Sequence, residues 1–194
     1  YRNKFIKQHL ELYGEELFLD SSSKKPGGEF SELSKTDLLN NLHSKIDIEL
    51  VPKKGTVLDK VVFGSGDPNA DLLFVGESPS IRELENNKPF LGKSGKLLDK
   101  ILKAIGYNRS SKVYLTHLIK SRIEGSRDPL KSEINKFIPF LNKQIKIIEP
   151  KIIVGLGKVV GKALVNKNLS IDIMRSKIHT FCSHPLKITY SLDA

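Results

Sequence analysis

The sequence predicts an α/β fold: a mainly parallel sheet covered by helices on both faces. Three observations lead there. Short apolar runs alternate with longer stretches of helical spacing, the pattern of strands joined by crossover helices. Hydrophobic residues make up 39% and charged residues 28% of the 194, enough apolar material for a packed core in one domain. The best-defined apolar run, Leu72-Leu-Phe-Val75, is closed by Gly76 and followed at once by Glu77, and open α/β sheets bind ligands at the carboxyl ends of their strands.

Residues 1–20 carry an amphipathic pattern (Phe5, Ile6, Leu10, Leu12, Leu17) that predicts a short helix, and SSSKKPGG at 21–28 reads as a linker. Residues 1–30 are therefore taken as an arm and 31–194 as the domain. A helix over about 35–45 presents Leu38, Leu39 and Leu42 on one side. The first strand covers about 70–76, and Ser78-Pro79-Ser80 is too stiff and polar to continue a strand or a helix. A helix from Ser94 places Leu97, Leu98, Ile101, Leu102 and Ile105 at helical spacing, with Gly106 as its stop. Val113–Ile119 is the second strand, 130–148 a long helix behind Pro129, and 151–154 the third strand. Gly157 leads into a helix at about 158–165. A hairpin, 178–183 with 186–191, turns at His184-Pro185.

Thirty-two Lys and Arg against twenty-two acids give a net charge of +10. A solvated lysine-rich surface accounts for that, and so does a polyanionic partner bound through counterion release. One cysteine, Cys182, excludes a disulfide framework and a Cys-rich metal site, and points to a reduced, intracellular setting. No apolar run approaches the ~20 residues of a membrane span. The chain begins with Tyr, so its start is expected to lie upstream and no statement about a targeting peptide follows.

With the strands parallel, Glu77, His117, Gly155-Leu-Gly157 and Ser191 gather at one sheet edge, and a crevice lined by Glu77, Phe90, His117 and Ser191 is the default site. Each has a plainer reading. Glu77 serves equally as a loop or cap carboxylate, Phe90 as a core aromatic, His117 as a buried hydrogen-bonded histidine, and Ser191 as an ordinary strand-end serine. Gly92-Lys93-Ser94 hints at a phosphate loop, but Asn87 stands where the first Gly of that motif belongs. Gly155-Leu-Gly157-Lys-Val-Val-Gly161 misses dinucleotide spacing by one residue. No nucleotide cofactor is expected. Amides around Gly157 and Lys158, at a helix N-terminus, suit a phosphate of a polyanionic partner, and Arg122 and Arg127 flank a loop suited to contacts with the backbone of such a partner.

Three segments, Phe63–Gly95, Val113–Lys120 and Glu149–Gly157, resemble the uracil-DNA glycosylase superfamily, nearest to its iron–sulfur-containing family 4. The family's Gly-Glu-Ala-Pro-Gly reads here Gly76-Glu77-Ser78-Pro79-Ser80, and its Gly-x-Pro-Phe-Val-Gly-x-x-Gly reads Asn87-Lys88-Pro89-Phe90-Leu91-Gly92-Lys93-Ser94-Gly95. The resemblance runs in consistent order over about 60–194. It implies an αβα sandwich with a four-stranded parallel sheet, and an enzyme that flips a base from DNA and hydrolyses its glycosidic bond. By that resemblance Phe90 stacks the extruded base, flanked by Ser78, Pro79 and Ser80. Glu77 favours the sugar cation or holds the attacking water.

The departures shape the expectation. His117 stands where the family reads uracil with Asn, and Ser191 where it has the His of a His-Pro pair. Ser191 is preferred over the literal His184-Pro185 because it follows Thr189-Tyr190. Losing one well-placed donor to a developing anion costs about 3–4 kcal/mol. Uracil excision is thus expected to be weak unless His117 becomes the leaving-group donor. Ser121 and Phe137 stand at two of the family's cluster-cysteine positions, and 50–58 supplies no cysteine for the others, so no iron–sulfur cluster, no other metal and no cofactor are expected. The reading is a DNA-repair glycosylase with altered specificity or reduced activity. The alternatives are an inactive module recognising damaged or single-stranded DNA, and a structural component docked to a protein partner through 1–30.

Overall fold

The computed structural model describes residues 33–49, 60–123 and 127–193. The helix and linker expected over residues 1–28 lie outside them, as do 50–59 and 124–126. Residues Ser34–Ala194 make one compact unit.

Twelve elements are described: α1 (Lys35–Glu49), β1 (Ser65–Gly66), β2 (Leu72–Gly76), α2 (Ile81–Asn86), α3 (Gly92–Ala104), β3 (Val113–His117), α4 (Lys131–Ile148), β4 (Ile152–Leu156), α5 (Lys158–Val165), α6 (Ile171–Ser176), β5 (Ile178–Phe181) and β6 (His184–Thr189). The sheet order is β1-β3-β2-β4-β6-β5. The four inner strands are parallel, and β1 and β5 are antiparallel at the two edges. The expected parallel four is thus the middle of a six-stranded sheet. β1 was invisible in the sequence because two residues, Ser-Gly, carry no periodicity.

The layers follow from side-chain alternation along the strands. Leu73 and Val75 of β2, with Tyr114 of β3, pack on α1 and α4 through Leu39, Leu42, Phe137, Leu141 and Ile145. Phe74, Val113 and Leu115 face the other way, onto Leu98 and Leu102 of α3. Both faces of β2 are thereby covered, and four of its five residues, Leu73 to Gly76, are buried. The α1 N-terminus also closes the end of α4. Lys35 Nζ donates to the Ile148 carbonyl at 2.9 Å and pairs with Glu149 at 3.2 Å, a cation at a helix C-terminus where the dipole is negative.

Two sequence expectations change. The hairpin turns at Cys182-Ser183, both with positive φ (49° and 67°), and pairs Phe181 with His184. The primed two-residue turn matches strand twist, so His184 and Pro185 belong to β6. The second strand ends at His117, where the chain bends away and Leu118 N–H donates to the Gly76 carbonyl.

Candidate active site

Register places the chemistry. In the β2–β3 pair Gly76 lies opposite His117, so Glu77 leaves the sheet beside the imidazole. In the β4–β6 pair Leu156 lies opposite Thr189, which delivers Ser191 and Leu192 to the same carboxyl edge. A cavity of about 440 Å³ opens there, lined by Gly76 through Ser80, Glu83, Phe90, Leu91, Lys93, Ser94, His117, Arg122, Leu156 and Ser191 through Asp193. It holds Glu77, Ser78, Pro79, Ser80, Phe90, His117, Arg122 and Ser191 from the sequence-derived set. Gly157, Lys158 and Arg127 are not in its wall. Gly157 (φ 95°) begins α5 and donates its N–H to the Thr189 carbonyl. Arg127 reaches both carboxylate oxygens of Glu133 at 2.8 Å. His184 lies within β6 and outside the wall.

Glu77 is half-buried. Burial pushes its carboxyl above the usual range, and the negative charge of Asp128 adds to that. Ser80 does more than narrow a loop. It is the N-cap of α2, and its backbone N–H and hydroxyl both donate to Glu83 at 2.7 Å while its hydroxyl accepts from Glu83 N–H. This is a capping box, and Ser80-Ile-Arg-Glu83 is its sequence signature. That signal was present, but a six-residue helix offers too few apolar positions to show a period.

Glu83 is the functional-site residue the sequence reading missed. Its side chain is buried, and it also accepts the Phe90 backbone N–H and faces His117 Nε2 at 3.3 Å. Burial alone would raise its carboxyl. The His117 imidazole and the Ser80 donors overcome that and bring it down to about 2.

Phe90 is held in the left-handed region (φ 54°), a strained conformation for a bulky residue that persists only when its surroundings impose it. Those surroundings are explicit. Glu83 takes its N–H, while Arg109 Nη2 donates to its carbonyl at 2.7 Å and to that of Gly95 at 3.1 Å, and Nη1 to Pro89 O at 3.0 Å. Asp99 holds the guanidinium from behind. The Phe90 ring is buried with its centroid 4.8 Å from that of His117, at 33°. Both rings rest on Gly76, where a Cβ would come within 2.6 Å of His117 Nδ1 and 2.8 Å of Phe90 Cζ.

Just past the end of β3 lies Lys120, fully buried. Its amine donates to the His117 carbonyl at 2.7 Å, to Gln144 Oε1 at 2.6 Å and to Thr116 Oγ1 at 2.5 Å. Burial holds it well below the ordinary lysine value. Three acceptors fill its bonding capacity, and it pins the end of β3 to α4.

An iron–sulfur cluster does not fit these residues. Such clusters need four thiolates, and the chain has one cysteine. Cys182 is spent in a hairpin turn with its thiol toward Asn142 Oδ1, and Phe137 is an apolar core side chain.

A parallel sheet with an acid, an aromatic ring and an imidazole gathered at a cavity on its carboxyl edge defines a class of small α/β proteins that bind their ligands at the strand ends. The sequence pattern of the uracil DNA glycosylase superfamily matches residues 63–192, well over half of the chain, and the chain belongs to that superfamily. Among curated relatives, the Type-4 uracil-DNA glycosylase of Sulfurisphaera tokodaii is 41% identical over 104 residues, 54% of this chain and 47% of that protein. The Type-4 uracil-DNA glycosylase of Saccharolobus solfataricus is 37% identical over 130 residues, 64% and 60% of the two chains. A DNA polymerase of Bacillus phage SP01 is 31% identical over 120 residues, 62% of this chain and 13% of that protein. The matched stretch therefore spans about half to three fifths of the Type-4 relatives.

Proposed function

We propose that this protein is a DNA base-excision enzyme that hydrolyses the N-glycosidic bond of a flipped, deaminated base, with altered base preference or reduced activity on uracil. The observation that carries the reading is the convergence of Glu77, Phe90 and His117 on one cavity large enough for a nucleobase. Water attacks the sugar C1′, and the carboxylate of Glu77 orients it and takes its proton. The C1′–N bond breaks with its electron pair passing to the base, which leaves as an anion and is protonated afterwards. Half-burial of Glu77 makes its charge more effective against the developing sugar cation than an exposed carboxylate would be. Phe90 offers an aromatic face, with Ser78, Pro79 and Ser80 forming the adjoining wall, and His117 the polar edge. Ser191 stands near the departing base. Arg122, with Gly157, Lys158 and Arg127 farther out, meets the phosphates, in keeping with the net charge of +10.

The reading places the protein with DNA inside the cell, cytoplasmic or nucleoid-associated, with 31–194 as the working domain, without a membrane contact, and with 1–30 as an arm for a protein partner. The test is incubation with duplex and single-stranded DNA containing uracil, hypoxanthine or xanthine, followed by alkaline cleavage. Breaks above a Glu77→Gln control are expected, and none on any substrate would defeat the proposal.

A second reading, an inactive module recognising damaged or single-stranded DNA, draws on the packing of the His117 ring against Phe90, which occupies part of the stacking surface. It requires salt-sensitive DNA binding that survives Glu77→Gln. No DNA affinity at low salt would remove it.

A further inference from the structure

Glu83 brings four donors onto two oxygens: Ser80 N–H and hydroxyl at Oε2, and Phe90 N–H and His117 Nε2 at Oε1. An ionised carboxylate only accepts, so a bare Nε2 would set lone pair against lone pair. The hydrogen of a neutral His117 ring therefore belongs on Nε2. At 3.3 Å the contact is an ion-pair distance rather than an aligned hydrogen bond, which leaves the ring room to adjust when a ligand arrives. Nδ1 is enclosed and has no partner among the described residues. It lies over Gly76, on the cavity floor. A buried unpaired polar atom is costly, and native folds keep one where something else completes it.

We infer that Glu83 is the positioning residue that fixes His117 as its Nε2–H tautomer, so that Nδ1 meets the base as an acceptor and the site selects bases with a ring N–H beside a carbonyl. Uracil, hypoxanthine and xanthine carry that lactam, as thymine and guanine do, whereas cytosine and adenine, the parents of the first two, do not. The family's Asn offers an acceptor and a donor on one amide, whereas this arrangement offers the acceptor alone. Selection then falls on the ring N–H rather than the carbonyl pattern around it, which widens the range from one base to a class. The inference rests on the proposed base-binding reading and goes further in naming the recognised group.

The test uses the full chain, labelled with ¹⁵N at histidine, free and with saturating uracil or 3-deazauracil as their 1-methyl derivatives, in which N1 is blocked as in DNA and C–H at position 3 replaces the one remaining ring N–H without added bulk. Long-range ¹H–¹⁵N correlation on the alkaline side of the ring's own titration should show hydrogen on Nε2 alone. The Nδ1 resonance should move with uracil and at least threefold less with 3-deazauracil. Hydrogen on Nδ1, or an equal response to both bases or to neither, overturns the inference whether or not the protein cleaves DNA. Loss of all cleavage with these signatures intact instead defeats the enzyme reading. Where cleavage is present, the rate ratio of uracil to 3-deazauracil in DNA should be at least tenfold, falling below threefold in Glu83→Gln. Ser80→Ala loosens the same loop without changing what Nε2 faces, and should slow both substrates together. Equal ratios in all three proteins overturn the inference.

Discussion

Replacing Glu83 with Gln should uncover a pH-dependent share of stability. The folded carboxyl sits at about 2 against an ordinary 4.5, and at 1.36 kcal/mol per unit this amounts to about 3 kcal/mol. The side chain is buried, so solvent screens little of it. Because the folded value is depressed, the contribution is complete above pH 4.5 and is lost as pH falls through about 2. Glutamine does not titrate. Its NH₂ would also meet a donor whichever way the amide turned, since both oxygens of Glu83 face N–H groups, a pH-independent loss of about 1–3 kcal/mol. Urea unfolding of both proteins at pH 7, 4, 3 and 2.5 measures the difference. It should be largest at pH 7 and shrink by about 3 kcal/mol across the acid window. A difference constant with pH would refute the assigned burial and pairing of this carboxyl.

Three other outcomes are expected. Asp128→Asn removes the charge that helps raise Glu77, so the acid limb of the pH–rate profile on deaminated DNA should move to lower pH; an unmoved limb would separate the two carboxylates. Gly76→Ala drives a methyl to within 2.6 Å of His117 Nδ1 and 2.8 Å of Phe90 Cζ and should cost about 1–3 kcal/mol in urea unfolding, with base-dependent NMR shifts of His117 disturbed. Lys120→Met should alter how stability depends on pH. The unfolded lysine binds its proton more tightly than the buried one, so wild-type stability rises with pH toward 10.5 relative to the variant, and parallel curves from pH 7 to 10 would contradict that.

Much of this architecture could be read from residue order. Leu72–Gly76 and Ile152–Leu156 are buried parallel strands whose uninterrupted apolar character announces them, and α3 and α4 carry clear helical spacing. The elements that were missed share a cause: they are too short for a period. β1 is two residues and α2 and α6 are six each. The hairpin turn was misplaced because Pro185 looks like a breaker, although it pairs with Thr180 inside the ladder, while the positive φ of Cys182 and Ser183 leaves little trace in residue type. At the cavity, Glu77, Phe90 and His117 stood at strand ends or inside a turn and were visible as positions. Glu83 and Arg109 were not, because their work is to hold backbone groups of other segments, and no local pattern encodes the Arg109 reach to Pro89, Phe90 and Gly95.

That guanidinium has a consequence for how such a pocket can be retuned. Arg109 sits in the tight turn at Asn108–Ser111, and its hydrogen bonds to Pro89, Phe90 and Gly95 all go to main-chain oxygens. Its grip is therefore indifferent to which side chain occupies position 90, and the ring can be exchanged for another while the frame that aims it stays in place. Lengthening or shortening the turn would instead shift the frame and leave every wall side chain unaltered. Libraries aimed at new ligand preferences have two independent handles here, the identity of the plate and the tilt of its mount.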